Sequence, residues 1–157
     1  MKTPNILLAF LRLSLGWIFF WAGISKVADP AWSAAGFLKN AQTFHSFFSW
    51  WASPSVLPVT NFLNEWGLLL IGLSLITGLF VRLSSFFGIL LMALYYCARL
   101  KFPYPDANSF IVDSHIVYAL LLGYFIAMRA GRVYGLDGKI QKLKRWKNIK
   151  WIGVWLG

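Results

Sequence analysis

Four stretches of this chain are apolar over lengths that can cross a bilayer, and no other feature restricts the fold as strongly. A spanning helix needs about 20 mostly apolar residues, with a range of ~17–25. The stretches run over about 6–27, 65–81, 83–100 and 111–128. Four such runs in 157 residues leave too little polar sequence to cover them inside a water-soluble protein. Composition agrees: 59% of residues are hydrophobic and 13% are charged, about half the ~25% charge of soluble domains. The sequence predicts an all-α integral membrane protein, a four-helix transmembrane bundle over residues 1–130 with a basic tail over 131–157.

The net charge of +10 then reads as an orientation signal. Loops on the cytoplasmic side carry the excess of Lys and Arg. Lys2 precedes the first span, Arg82 lies between the second and third, and Arg129, Arg132, Lys139, Lys142, Lys144, Arg145, Lys147 and Lys150 follow the fourth. The other side holds only Lys39, Arg99 and Lys101, with Lys26 at the border. Both termini are expected in the cytoplasm. The n-region is a single Lys, Arg12 interrupts the apolar stretch and no A-x-A site follows, so the first span is read as retained. The tail interleaves basic residues with Leu, Ile and Trp, a composition suited to anionic lipid headgroups at ~1 kcal/mol per basic residue. Nucleic acid is not an expected partner.

Between the first two spans the spacing predicts one amphipathic helix over 31–52, lying in the outer interface or capping the bundle. Phe37, Ala41, Phe44, Phe48 and Trp51 fall on one side, and Lys39, Gln42, Thr43, Ser46 and Ser49 on the other. Pro54 and Pro58 are expected to end it.

Ionisable residues within spans cost energy, at least ~2.5 kcal/mol for an Arg near the centre, and so mark candidate sites. At 100° per residue, Arg12, Gly16, Phe19, Gly23 and Lys26 share one face of the first span, with Trp17 and Trp21 opposite. Two readings stand: the cations snorkel to opposite interfaces, or they turn inward with the glycines, which admit a second backbone or a flat ligand. Glu65 opens the second span, where an ion pair to Lys26 or a favourable helix dipole would hold it. Gly67, Ser74 and Gly78 form a separate small-residue face for helix packing. Asp113 and His115 open the fourth span; 200° apart on a helix, they are not expected to share a face, and Asp113 as N-cap would leave His115 pointing inward. Topology alone gathers Lys26, Glu65, Asp113 and His115, with Arg99 nearby, at the outer helix ends. Such a set suits proton-coupled chemistry, because histidine titrates in the physiological range. The single Cys97 is read as packing, and neither metal nor haem is expected.

With these residues in view, the chain resembles the DoxX/DoxD family of small four-span membrane proteins. LRLSLGWIFFWAGISKVADP is similar to the family's first helix, with Arg12, Gly16, Gly23 and Lys26 in place. NEWGLLLIGLSLITGLFVRLSS is similar to its second, with Glu65, Gly72, Gly78 and Arg82, and GRVYGLD to the motif after its fourth. The Trp-rich outer loop and Gly-Leu-Asp close favour the DoxD-like branch. The resemblance implies a prokaryotic plasma-membrane protein tied to redox chemistry. DoxD-like proteins are described as a subunit of thiosulfate:quinone oxidoreductase, paired with a second subunit. The expected cofactor is a quinone, held by Arg12, Gly16 and Gly23, with Lys26, Glu65, Asp113 and His115 carrying catalysis. A sulfur anion would meet Lys26, Arg99 or Lys101. A second oxidoreductase subunit and a homo-oligomer are the protein partners to consider. The alternatives are a non-enzymatic scaffold for a redox complex and a small-molecule or proton transporter.

Overall fold

The computed structural model describes residues 3–141. The described chain is helical: α1 Thr3–Val27, α2 Ala35–Lys39, α3 His45–Trp51, α4 Leu57–Thr77, α5 Val81–Arg99, α6 Ser114–Ala127, a 3-10 turn Ala130–Arg132 and α7 Leu136–Ile140. Helices α1, α4 and α5 are long and apolar enough to cross a membrane; α6 is apolar but has 14 residues. Exposed Phe10, Trp17, Trp21, Phe62, Leu70 and Leu120 make the outside of the molecule apolar, as lipid rather than water requires.

Helix α1 packs most extensively on α4, α5 packs on α6, and α4 with α5 joins the two pairs. The α1 face expected from periodicity is the buried one: Leu8, Arg12, Leu15, Gly16, Phe19 and Gly23 are buried, while Trp17 and Trp21 are exposed. Its glycines set the approach to α4. A Cβ on Gly16 would lie 2.9 Å from Leu75 Cβ, and one on Gly23 would lie 2.7 Å from Leu69 Cα. From α4, Gly72 meets the backbone of Phe20 in the same way. Lipid tails are as apolar as leucine, so helix association rests on such close packing. The expected small-residue face is different in part, because a Cβ on Gly67 would meet nothing within 4 Å.

Helix α4 starts at Leu57, well before the expected residue 65. Pro58 falls in its first turn, where a missing N–H costs nothing, so it opens this helix and does not close the preceding one. Glu65 therefore lies inside α4 and not at its N-terminus. The helix ends at Gly78, whose φ of 71° is the left-handed close that glycine favours. The turn into α5 is Gly78–Phe80, and Arg82 belongs to the first turn of α5.

The single helix expected over 31–52 is two short ones with a break between. The break is fixed from a distance: Gln42 N donates to Ala98 O at 2.8 Å and Thr43 Oγ1 to Leu100 O at 2.5 Å. Asn40 Nδ2 donates to Gly36 O at 2.7 Å, and Phe44 adopts φ 53°. These bonds satisfy backbone groups that a continuous helix would have used internally. Leu38, Ala41, Phe48 and Ala52 then pack with Ala34 and Ala98 as a small second core over the end of α5. Phe44, placed on the apolar face by periodicity, is 67% exposed.

Candidate functional site

Two polar arrangements interrupt the apolar bundle, one at each end. The first surrounds Arg12, which is 2% exposed. Its Nη1 donates to Ala130 O at 2.5 Å and Val133 O at 3.0 Å, and its Nη2 to Tyr134 O at 3.4 Å. The inward alternative for Arg12 is the one adopted; its partners are carbonyls of the chain that follows α6. Asp137, fully buried, completes this junction. Its Oδ1 accepts from Phe80 N at 2.8 Å and its Oδ2 from Val81 N at 3.2 Å, while its own N–H donates to Gly78 O at 2.9 Å. One residue thus caps α5, which has no side-chain cap of its own, and ties off α4. A carboxylate at a helix N-terminus is favourable on both hydrogen-bonding and dipole grounds. Gly78 and Gly135 leave room for the Arg12 guanidinium: a Cβ on either would lie 2.8 Å from Nη1. Residues 131–137 therefore belong to the bundle and not to a surface tail; residues 142–157, where most of the expected lipid-binding tail falls, lie outside the described residues.

Around this junction stand Arg82, Arg129 and Arg132. Burial lowers the pKa of Arg132, as do the neighbouring charges of Arg129 and Arg82, with Asp137 acting in the opposite sense.

The second arrangement is at the Lys26 end, where two chambers share Ala34, Phe37, Asn64 and Tyr95 as a common wall. One, of about 180 Å³, is apolar, and Phe37, Phe47, Leu63 and Leu94 of its lining are exposed on the apolar surface. The other, of about 280 Å³, is lined by Lys26, Trp32, Asn64, Tyr95, Arg99 and His115 among others. Asn64 Nδ2 donates to Tyr95 Oη at 2.6 Å, and Asn64 Oδ1 is buried with no partner among the described residues. Such an orphan costs about 1–3 kcal/mol unless something fills it.

His115 and Asp113 do meet. Asp113 is the N-cap of α6 with extended backbone, so the 200° helical spacing does not apply to it. Its Oδ1 accepts from His115 N at 2.9 Å and Ile116 N at 3.2 Å, and its Oδ2 pairs with His115 Nδ1 at 2.5 Å. With Asp113 ionised, Nδ1 carries the ring proton and Nε2 is left as an acceptor. The His115 ring stands edge-on to Tyr95, centroids 5.8 Å apart.

Asp113→Asn keeps an acceptor for the two backbone N–H groups but turns an amide toward His115 Nδ1 and removes the charge that pairs with the ring. A hydrogen bond to a charged group is worth about 1.5–3 kcal/mol, so the variant is expected to melt at a lower temperature in detergent. An unchanged melting temperature would refute this.

Lys26 Nζ donates to Ala22 O at 2.9 Å and lies 5.4 Å from the Trp32 ring centroid. No ion pair within 4.0 Å joins it to Glu65, although the two are neighbours across the α1–α4 crossing, where Gly23 faces Leu69. Arg99 pairs with Asp106 at 3.2 Å on the rim. Of the residues singled out from sequence, Lys26, His115 and Arg99 line the polar chamber, Asp113 supports it, and Glu65 is half-buried beside it. Arg12 sits at the opposite end, and Gly16 and Gly23 are occupied by α4. Tyr95 and Asn64 complete the chamber without a sequence signal, since an uncharged tyrosine and asparagine in apolar helices have nothing to mark them as a site.

The family model described as DoxX matches residues 7–98, more than half of the chain. No curated protein and no solved structure matches it.

Proposed function

Given that this integral membrane protein belongs to the DoxX family, we propose that it binds a quinone at the Lys26 end and serves as the membrane subunit of a quinone-linked oxidoreductase. The observation that carries this is the pair of chambers with a shared wall. The apolar one opens among exposed Phe37, Phe47 and Leu63, on the surface that lipid covers, and suits an isoprenoid tail. The polar one offers the Tyr95 hydroxyl, the Lys26 ammonium, Asn64 and His115 to a ring bearing two oxygens. Asn64 Nδ2 donates to the Tyr95 hydroxyl, which keeps its own proton for a ligand oxygen. A bound quinone supplies two-electron, two-proton redox chemistry; the chain supplies orientation and proton-carrying groups. Lys26, with Arg99 on the rim, gives an anionic electron donor such as a thiosulfate-like sulfur anion a place to approach. Electron delivery falls to a second subunit.

Four spans complete this reading. Helix α6 is about 21 Å long at 1.5 Å per residue. Exposed Phe110, Ile111 and Val112 before it and Met128 after it extend the apolar length toward the ~30 Å of a bilayer core. The arginines beside Asp137 support reading that end, and with it both termini, as cytoplasmic.

Asn64→Leu tests the site. It removes the amide that holds the Tyr95 hydroxyl, the group placed to donate to a quinone carbonyl, and puts an apolar side chain in the common wall. Affinity of the detergent-solubilised chain for a short-tailed benzoquinone, read by tryptophan quenching, should fall about tenfold, the scale of one well-placed hydrogen bond. Absence of binding by the parent chain, or equal binding by the variant, would sink the proposal.

A further inference from the structure

His115 lines the polar chamber and carries an acceptor with no donor among the described residues: Nε2, because Asp113 engages Nδ1 at 2.5 Å and so fixes the proton there. A quinone has carbonyl oxygens only and cannot donate to it. A hydroquinone has hydroxyls and can. When His115 gains a proton, Nε2 becomes a donor and the preference at that position reverses. We propose that the Asp113–His115 pair makes this site select the reduced, hydroquinone form of its ligand while His115 is neutral, and that protonation of His115 shifts the selection toward the quinone.

This rests on the quinone-site reading above and specifies the redox form bound. The other charged and titratable groups around the chamber are Lys26 from α1, with Glu65 of α4 beside it, and Tyr95 and Arg99 from α5, the latter paired with Asp106. Of the side-chain types around the chamber, imidazole is the one able to act as acceptor when neutral and as donor at both nitrogens when protonated. No electron moves in the proposal: binding of a ligand hydroxyl to neutral Nε2 is exchanged for donation from protonated Nε2 to a ligand carbonyl. The Asp113 carboxylate holds the ring in place in both states and stabilises the charged one.

The test measures two dissociation constants on the purified full chain, under anaerobic conditions. The probes are a short-tailed benzoquinone and the same molecule reduced to its hydroquinone. The ratio of quinone to hydroquinone dissociation constants should fall about tenfold between about pH 8 and about pH 5.5, the worth of one charge-assisted hydrogen bond. Histidine exchanged for an uncharged amide, His115→Gln, should bind both forms with a ratio that no longer varies with pH. Binding of both forms at a pH-independent ratio by the parent chain would overturn this inference and leave the quinone site standing. Failure of both forms to bind would overturn both. Retention of the pH dependence in His115→Gln would show that another group governs selection, and would also overturn it. The parent ratio decides the matter alone if the variant does not fold.

Discussion

Replacing Asp137 with alanine should unfold or nearly unfold this protein. Three consequences coincide. The N–H groups of Phe80 and Val81 lose their acceptors at the start of α5. The bond from the Asp137 backbone to Gly78 loses the side chain that anchors it. The buried Arg12 guanidinium loses the carboxylate nearest in charge. Breaking a buried charge arrangement from one side costs about 3–5 kcal/mol, against a total stability of about 5–15 kcal/mol. Thermal melting in detergent should show a large drop, and yield of monodisperse protein should fall with it. Asp137→Asn should be intermediate, since an amide presents one acceptor to two donors. A double change, Arg12→Met with Asp137→Ala, should lose less than the two single changes summed, because each group partly offsets the other's buried charge. If Asp137→Ala melts within about 0.5 kcal/mol of the parent, as a surface change would, the junction is not what holds this end together.

A second large effect is expected where α1 crosses α4. Gly72→Ala puts a methyl group into the backbone of Phe20, and Gly23→Ala puts one into that of Leu69. Backbone has no rotamer to move aside, so the helices must separate. Overpacking costs about 1–3 kcal/mol, and parting a crossing also forfeits the contacts of Leu15, Phe19, Leu68 and Leu75 in the same core. The loss should reach or pass the upper end of that range. Gly67→Ala is the control on the same helix: nothing lies within 4 Å of its added Cβ. Its gain in helix propensity, ~1 kcal/mol in water, makes it neutral or mildly stabilising. Equal melting temperatures for Gly72→Ala and Gly67→Ala would mean that the crossing tolerates a wider separation.

What could be read from sequence followed the range of the interactions involved. The Arg12–Gly23 face was legible because helical periodicity is local, and every residue on it repeats at that period. The outer segment was not. Its apolar spacing was real, but the break at Asn40–Phe44 is imposed by carbonyls of Ala98 and Leu100, far along the chain. The start of α4 is not legible, because a proline after an amphipathic stretch reads as a stop, whereas in a first turn it is a start. Lys26, Asp113 and His115 were legible as charges at helix ends. Their pairing was not: Asp113 is outside the helix whose geometry was applied to it. Asp137 entered only through its motif, since its partners Phe80 and Val81 lie more than fifty positions earlier.

The Arg12 junction also has a place in time. Arg12 enters the membrane with α1, and Ala130, the nearest of the carbonyls that receive it, is 118 residues downstream. Ribosomes add about 5–20 residues per second, so the arginine waits roughly 10 s for its first partner. Throughout that interval the nascent helix carries an uncompensated cation. The segment after α6 is what ends the wait, and any chain truncated before residue 130 leaves the ribosome with that cation still unanswered.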